Sequence, residues 1–369
     1  MVETVKGQES SNVSSKRPYI SVIITAYNRK QYILQAINSA LNQTLDRSLY
    51  EIIVVKNFSD DEIDSFIQDN NIMNILTDVK PFGEMIALGV ENASGEVVSL
   101  LDDDDLFYAD KLRTVYELFK KDGNLGYYHN SITEIDENSK EISRNRNNPK
   151  ESIYMRDRES KNKLATSIFL SWGFNTSSIS MRKIVFRERV DIISKYTWGV
   201  DSLLAIIGFF SDFGMLIDKK ILTLYRVHQS LSQIGIEPSE DYETFSLKVR
   251  RNKERLKNEE IVELKKDFKE EMQMYPFLDL YSTYLHARNV LDQKLLGNDG
   301  TIEVREIAKC IYYHIRVLPL HVKSHDSSTV KGYVLYLLFI SSSFLLNLIS
   351  ANFPRGVLLK LMYLFAPKI

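Results

Sequence analysis

Four times between residues 19 and 119, a short run rich in Val and Ile gives way to a stretch of helical periodicity. The runs lie at 19–27, 51–55, 72–79 and 97–101, and the helical stretches at 31–42, a short one from Asp61, 83–92 and 109–119. Each run is too short for a helix and rich in β-branched residues, so each reads as a buried strand. In the first helical stretch, Ile33, Leu34, Ile37, Ala40 and Leu41 recur at the spacing that gathers apolar side chains on one face. This alternation leaves few architectures. It predicts an α/β fold: a mostly parallel, Rossmann-like sheet with helices on its faces, joined by right-handed crossovers. Further strands are expected at 126–135, 177–182, 215–217 and 221–225. Helices are expected at 164–172 and from Asp201 into the apolar run ending at Ile207. The polar residues 137–161 read as an excursion or mobile loop.

Three of the expected strands end in polar clusters: Thr25 to Arg29, Asn57 to Asp61, and Asp102 to Asp105. In open α/β sheets, ligands bind at the carboxyl ends of the strands. The last cluster is four consecutive aspartates between a strand and a helix. Adjacent carboxylates repel one another unless solvent or a cation intervenes. Hard divalent cations prefer oxygen ligands, and Mg²⁺ is commonly shared between one or two carboxylates and substrate phosphates. A solvated acidic turn is the plainer alternative. Neither GxGxxG nor GxxxxGK[ST] occurs, so no dinucleotide fingerprint or P-loop is signalled.

A formal charge of −2 over 369 residues gives no reason to expect nucleic acid as a partner. One cysteine, Cys310, precludes an internal disulfide and fits a reducing compartment. Residues 1–17 are polar and Ser-rich without an apolar core, which predicts a disordered tail and no secretory signal. A compact domain over 18–235 is expected, then a helical extension over 236–330, where Lys, Arg and Glu dominate at first. Residues 332–354 carry no charged side chain, and 357–366 form a second apolar piece flanked by Arg355 and Lys368. The segment 331–369 therefore reads as membrane-associating, lying in the interface or dipping into the membrane rather than spanning it. A helical pair packed on the core or on another subunit is the alternative.

The motif order resembles the GT-A fold glycosyltransferases, in particular glycosyltransferase family 2. The residues that carry the resemblance are Ser21-Val-Ile-Ile-Thr-Ala-Tyr-Asn-Arg29, Glu51-Ile-Ile-Val-Val55 with Ser59-Asp60, Gly83, Ala93-Ser-Gly-Glu96 and Leu101-Asp-Asp-Asp-Asp-Leu106. The resemblance implies a nucleotide-diphosphate sugar donor. Asp102-Asp103-Asp104 is similar to the family's DXD motif. By that match Asp104 binds a divalent metal, Mn²⁺ or Mg²⁺, Asp102 supports it, and Asp103 reaches the ribose. Thr25, Ala26, Tyr27 and Arg29 match the first nucleotide-contacting loop. Asn57 stands where the family usually has an Asp that contacts the base, and it retains both a donor and an acceptor. Trp198-Gly-Val-Asp201 resembles the catalytic-acid motif with Val200 in place of the usual Glu, leaving Asp201 as the base of an inverting transfer. Arg226-Val-His228 resembles the segment whose His completes the metal site. Gly173-Phe-Asn-Thr176 matches a loop beside the sugar. The membrane-associating end implies a glycan or lipid-linked acceptor at the cytoplasmic face of the cell membrane.

Three rivals are weighed against this, the third of them a soluble cytoplasmic transferase that differs from the membrane-bound reading only in the tail. Asp104 to Asp110 fits DDxxxxD and Asp60 to Asp64 fits DDxxD, a pairing seen in isoprenyl diphosphate synthases. Those enzymes are all-helical, and here both motifs follow Val/Ile-rich strands. The second rival is a degenerate transferase that binds glycan or serves as a scaffold, motivated by Asn57 and Val200.

Overall fold

The structure is a computed structural model, and its described residues are 17–79, 82–144, 148–162, 174–197, 199–227, 267–269 and 271. The first half has the expected alternation: β1 (Ile20–Ala26), α1 (Ile33–Leu41), β2 (Tyr50–Lys56), α2 (Asp61–Asp69), β3 (Met73–Leu76), α3 (Phe82–Asn92) and β4 (Val97–Asp102). These four strands pair in parallel in the order β3-β2-β1-β4. Asp60 caps α2, its carboxylate accepting the Ile63 N–H at 3.2 Å, which fixes where the helix begins after β2.

Side chains alternate across the sheet with period two. Ile20, Val22 and Ile24 of β1 join Ile52, Val54, Val97 and Leu101 in one core cluster, against Ile33, Ala36 and Ile37 of α1. Ile23, Ile53, Val55, Val98 and Leu100 point the other way, into a second cluster with Met85 and Ile86 of α3. The second cluster also holds side chains from α5 (Lys183–Arg187), α6 (Val190–Ile193) and α7 (Val200–Phe210).

Beyond β4 the sheet is mixed. β5 (Leu106–Phe107), α4 (Lys111–Lys121), β6 (Leu125–Ile135), β7 (Glu141–Arg144), β8 (Ile153–Met155), β9 (Ile179–Arg182) and β10 (Gly214–Arg226) complete the order β3-β2-β1-β4-β9-β6-β10-β5. β9 runs antiparallel to both β4 and β6, while β6 and β10 are parallel. The sheet must curl. On a flat sheet β5 would stand four strand spacings from β4, about 19 Å. The four Cα–Cα steps from Asp102 to Leu106 reach at most about 14 Å. Only a curled sheet lets the aspartate turn bridge from the end of β4 to the end of β10.

Two expectations need correction. Residues 137–161 are not an excursion throughout: β7 pairs with β6, and β8 pairs with β10. Strands of three and four residues are too short to display a period. The strands expected at 215–217 and 221–225 are one strand, β10, with register shifts between Asp218 and Thr223. The polar residues that suggested a break form that irregularity, where Asp218 accepts hydrogen bonds from the Tyr128 hydroxyl at 2.9 Å and Ser152 at 2.6 Å. The tail over 1–16, the helix expected at 164–172 and the segment 331–369 lie outside the described residues. Among the described residues no helix is long and apolar enough to cross a membrane.

Candidate active site

The carboxyl ends of β1, β2 and β4 lie side by side. Thr25 is in register with Val55 on one side and with Asp102 on the other. Thr25 and Ala26 are buried in the sheet, and Tyr27 is half-buried against the α3 side of the core. Asn28 then turns the chain with φ 55°, a conformation that asparagine tolerates better than most residues. Its side chain and backbone pair with Asn57: the Asn28 N–H donates to Asn57 Oδ1 at 2.7 Å, and Asn57 Nδ2 donates to Asn28 Oδ1 at 2.8 Å. Asn57 thus stands at the end of β2 beside the β1 loop, as expected, and it also holds that loop.

Arg29 reaches the aspartate turn. Its guanidinium grips Asp103 through Nε to Oδ2 at 2.8 Å and a terminal nitrogen to Oδ1 at 2.5 Å, and it meets Asp104 Oδ2 at 2.8 Å. This fork-on-fork pairing is the strong form of the interaction. The guanidinium answers part of the turn's negative charge.

The remaining charge converges. One carboxylate oxygen each from Asp102, Asp104 and Asp105 lie within 4.8 Å of one another. Asp102 Oδ1 and Asp105 Oδ2 are buried and have no hydrogen-bond partner among the described residues. Burial, and then the neighbouring carboxylates, push Asp102 well above the ordinary carboxylate range. Burial and Asp104 push Asp105 up to about 8. Asp103 is raised only to about 6, because Arg29 opposes the burial. Orphaned, crowded oxygens in an all-oxygen donor set fit a hard divalent cation. The group of carboxylates that could hold a cation therefore includes Asp105, which sequence reasoning left out in favour of Asp104, Asp102 and His228. His228 lies outside the described residues, as do Trp198 and Gly173.

A buried polar network underlies the turn. The Asp102 N–H donates to Ser177 Oγ at 3.0 Å. The Ser177 carbonyl accepts from Lys111 Nζ and from Thr223 Oγ1, each at 3.1 Å. Lys111 Nζ also donates to Asn130 Oδ1, whose amide nitrogen donates to Thr223 Oγ1 at 3.0 Å. Lys111 is fully buried, and burial holds its ammonium well below its ordinary range. No sequence signal marked Lys111, because on α4 it falls among ordinary helical lysines.

Asp201 lies in the first turn of α7, where a negative charge is favoured by the helix dipole. Its Oδ1 accepts the Ser202 N–H at 2.7 Å. Tyr225 of β10 relates Asp201 to the aspartate turn. Its hydroxyl is pushed up by burial and then by Asp105, Asp102, Asp104 and Asp201, so both acidic groups lie within electrostatic reach of one side chain. Gly83 has a different setting. It is buried in the first turn of α3, its N–H donating to the Tyr196 carbonyl at 2.8 Å, and a Cβ there would lie 1.8 Å from the Ile193 carbonyl oxygen. Close backbone packing is enough to require glycine at that position.

Residues 21–182, from β1 to the end of β9, match the family described as Glycosyl transferase family 2. An uncharacterised glycosyltransferase of Rickettsia bellii is 34% identical over 125 residues, which is 33% of this chain and 18% of that protein. A shorter relative from Rickettsia prowazekii, also an uncharacterised glycosyltransferase, is 26% identical over 311 residues, covering 80% of this chain and 92% of its own. Among solved structures, Staphylococcus aureus TarS residues 1–349, in complex with UDP-GlcNAc, has a TM-score of 0.50 at 15% identity, covering 88% of this chain and 87% of that one. That likeness is one of fold. Residues 21–182 thus match glycosyltransferase family 2, and the sheet order with the likeness to TarS supports a GT-A fold.

Proposed function

We propose that the protein is an inverting, metal-dependent transferase that moves a sugar from a nucleoside-diphosphate donor to a hydroxyl of a glycan or lipid-linked acceptor. The observation that carries this reading is the convergence of Asp102, Asp104 and Asp105 at the carboxyl end of β4, with two buried oxygens that have no hydrogen-bond partner among the described residues. In this reading the ends of β1 and β2, with Thr25, Ala26, Tyr27 and Asn57, receive the nucleoside. Arg29 and Asp103 stand at the ribose and diphosphate. Asp102, Asp104 and Asp105 would hold a divalent cation, which would supply neutralisation of the charge on the departing diphosphate. Asp201 takes the proton from the acceptor hydroxyl as that oxygen attacks the anomeric carbon from the face opposite the leaving group, which inverts the configuration. The uncharged residues 332–354 support an acceptor presented at the cytoplasmic face of the membrane.

The fold shared with TarS, crystallised with UDP-GlcNAc, makes uridine diphosphate the first nucleotide to test. Calorimetric titration with UDP, GDP, CDP and dTDP, each with and without Mn²⁺, is the direct experiment. The expected result is binding of one nucleotide that requires the metal. A folded sample that binds none of them would favour the scaffold reading instead.

A further inference from the structure

Arg226 is the last residue of β10, and it is buried. A guanidinium offers five N–H donors in a rigid planar fork. All five are used. Nε donates to the Asp104 carbonyl at 2.7 Å. One terminal nitrogen donates to the carbonyls of Asp136 at 2.8 Å and Glu137 at 3.1 Å. The other donates to Gln35 Oε1 at 2.9 Å and Ser139 Oγ at 3.1 Å. Its face lies on the Tyr32 ring, 4.3 Å from the centroid, and its backbone N–H donates to Asp105 Oδ1 at 2.8 Å. None of the five side-chain partners is a carboxylate, although four aspartates lie close by. The fork takes the backbone of the turn and leaves the carboxylates free of it.

The turn needs such a hold. Its carboxylates repel, its internal bond from the Asp105 N–H to the Asp102 carbonyl is long at 3.3 Å, and β5 beyond it has only two residues. The opposite anchor is the β6–β7 turn, where Ser139 is held at φ 64°. Left-handed backbone is uncommon for serine and persists where the surroundings enforce it. There the Ser139 hydroxyl donates to Gln35 Oε1 at 3.0 Å, closing a ring of contacts with α1.

We infer that Arg226 is a positioning residue of the donor site: it rivets the Asp104–Asp105 backbone to the β6–β7 turn and to α1, so that the carboxylates of Asp102, Asp104 and Asp105 converge. This rests on the donor-site reading above. A lysine keeps the charge but cannot fill five acceptors, so Arg226→Lys separates fork geometry from charge. Ser139→Gly removes one acceptor and relieves the left-handed backbone, so it tests the rivet without depending on a variant that fails to fold.

The measurement is the Mn²⁺ concentration at half-saturation of UDP binding, with the melting temperature of each variant as control. Arg226→Lys should raise that concentration about tenfold, the size expected for lost bonds from a charged donor. Ser139→Gly should raise it about threefold, less than Arg226→Lys because only one of the fork's five acceptors is lost, while its melting temperature stays level or rises. An unshifted metal curve in a folded Arg226→Lys protein overturns the inference. So does an unshifted curve in Ser139→Gly. Failure of the wild-type protein to require Mn²⁺ for any nucleotide is a different result, since it removes the donor-site reading before any variant is compared.

Discussion

Asp105 is under two opposing demands. Its Oδ1 secures the start of β5 through the Arg226 N–H, while its Oδ2 is buried with no hydrogen-bond partner among the described residues. In the folded, metal-free chain its pKa is about 8, whereas an unfolded Asp titrates near 3.9. Between those values the folded state binds the extra proton. Its contribution to stability is therefore complete below about 3.9 and is lost as pH rises through about 8. Asp105→Asn should flatten that decline and raise the melting temperature above wild type at pH 8.5 in chelator, while abolishing metal-dependent nucleotide binding. A variant less stable than wild type under those conditions would contradict the assignment. For Asp201→Asn, transfer should fall by about 10²–10⁴-fold, the usual span for loss of a general base. Nucleotide affinity should hold, because in the proposed reaction Asp201 acts on the acceptor rather than the donor, and retained turnover would remove Asp201 from the role. Sequence alone exposed the four aspartates because they are contiguous. The family resemblance assigned roles to three of them and left out Asp105, since the partners that separate them, Arg29, Ser177 and Arg226, come from distant segments and meet only when the sheet curls.

Elements with a long apolar period were legible, and short ones were not. β1, β2, β4 and helices α1 to α4 lie within a few residues of where periodicity places them, and their strand ends meet on one edge. β7 and β8 escaped notice because a strand of three or four residues in polar sequence has no period to read. α3 carries a testable constraint of its own. Gly83→Ala would drive a methyl against the carbonyl oxygens of Ile193 and Tyr196, which are backbone atoms and cannot rotate away. Overpacking of this kind costs about 1–3 kcal/mol, and urea denaturation should show it. If the residue acts only in packing, the surviving folded protein keeps its nucleotide affinity. A loss of affinity without a loss of stability would instead support the donor-site role that the family resemblance implies.

At the scale of the molecule, the described part of the expected helical extension belongs to the core. Phe268 is fully buried in the cluster beneath α7, its ring 5.4 Å from that of Phe210. Glu271 pairs with Arg189 at 2.5 Å. Phe268→Ala should cost about 3–5 kcal/mol, read as a drop in the denaturation midpoint, and a variant as stable as wild type would refute the packing. A chain ended at residue 235 would expose the same apolar surface. The sheet itself has a narrow waist. The parallel block β3-β2-β1-β4 meets the block of β6, β10 and β5 along β9, a strand of four residues that arrives late in the chain. During synthesis, β4 and β6 emerge long before the strand that stands between them. Contacts this distant along the chain slow folding, and open strand edges invite the wrong partner. A nascent chain halted short of β9 therefore holds two half-sheets with nothing to join them. Among the described strands, the last synthesised are the ones that make the earlier ones a single sheet, so the open edges of this part of the chain are covered only when β10 has left the ribosome.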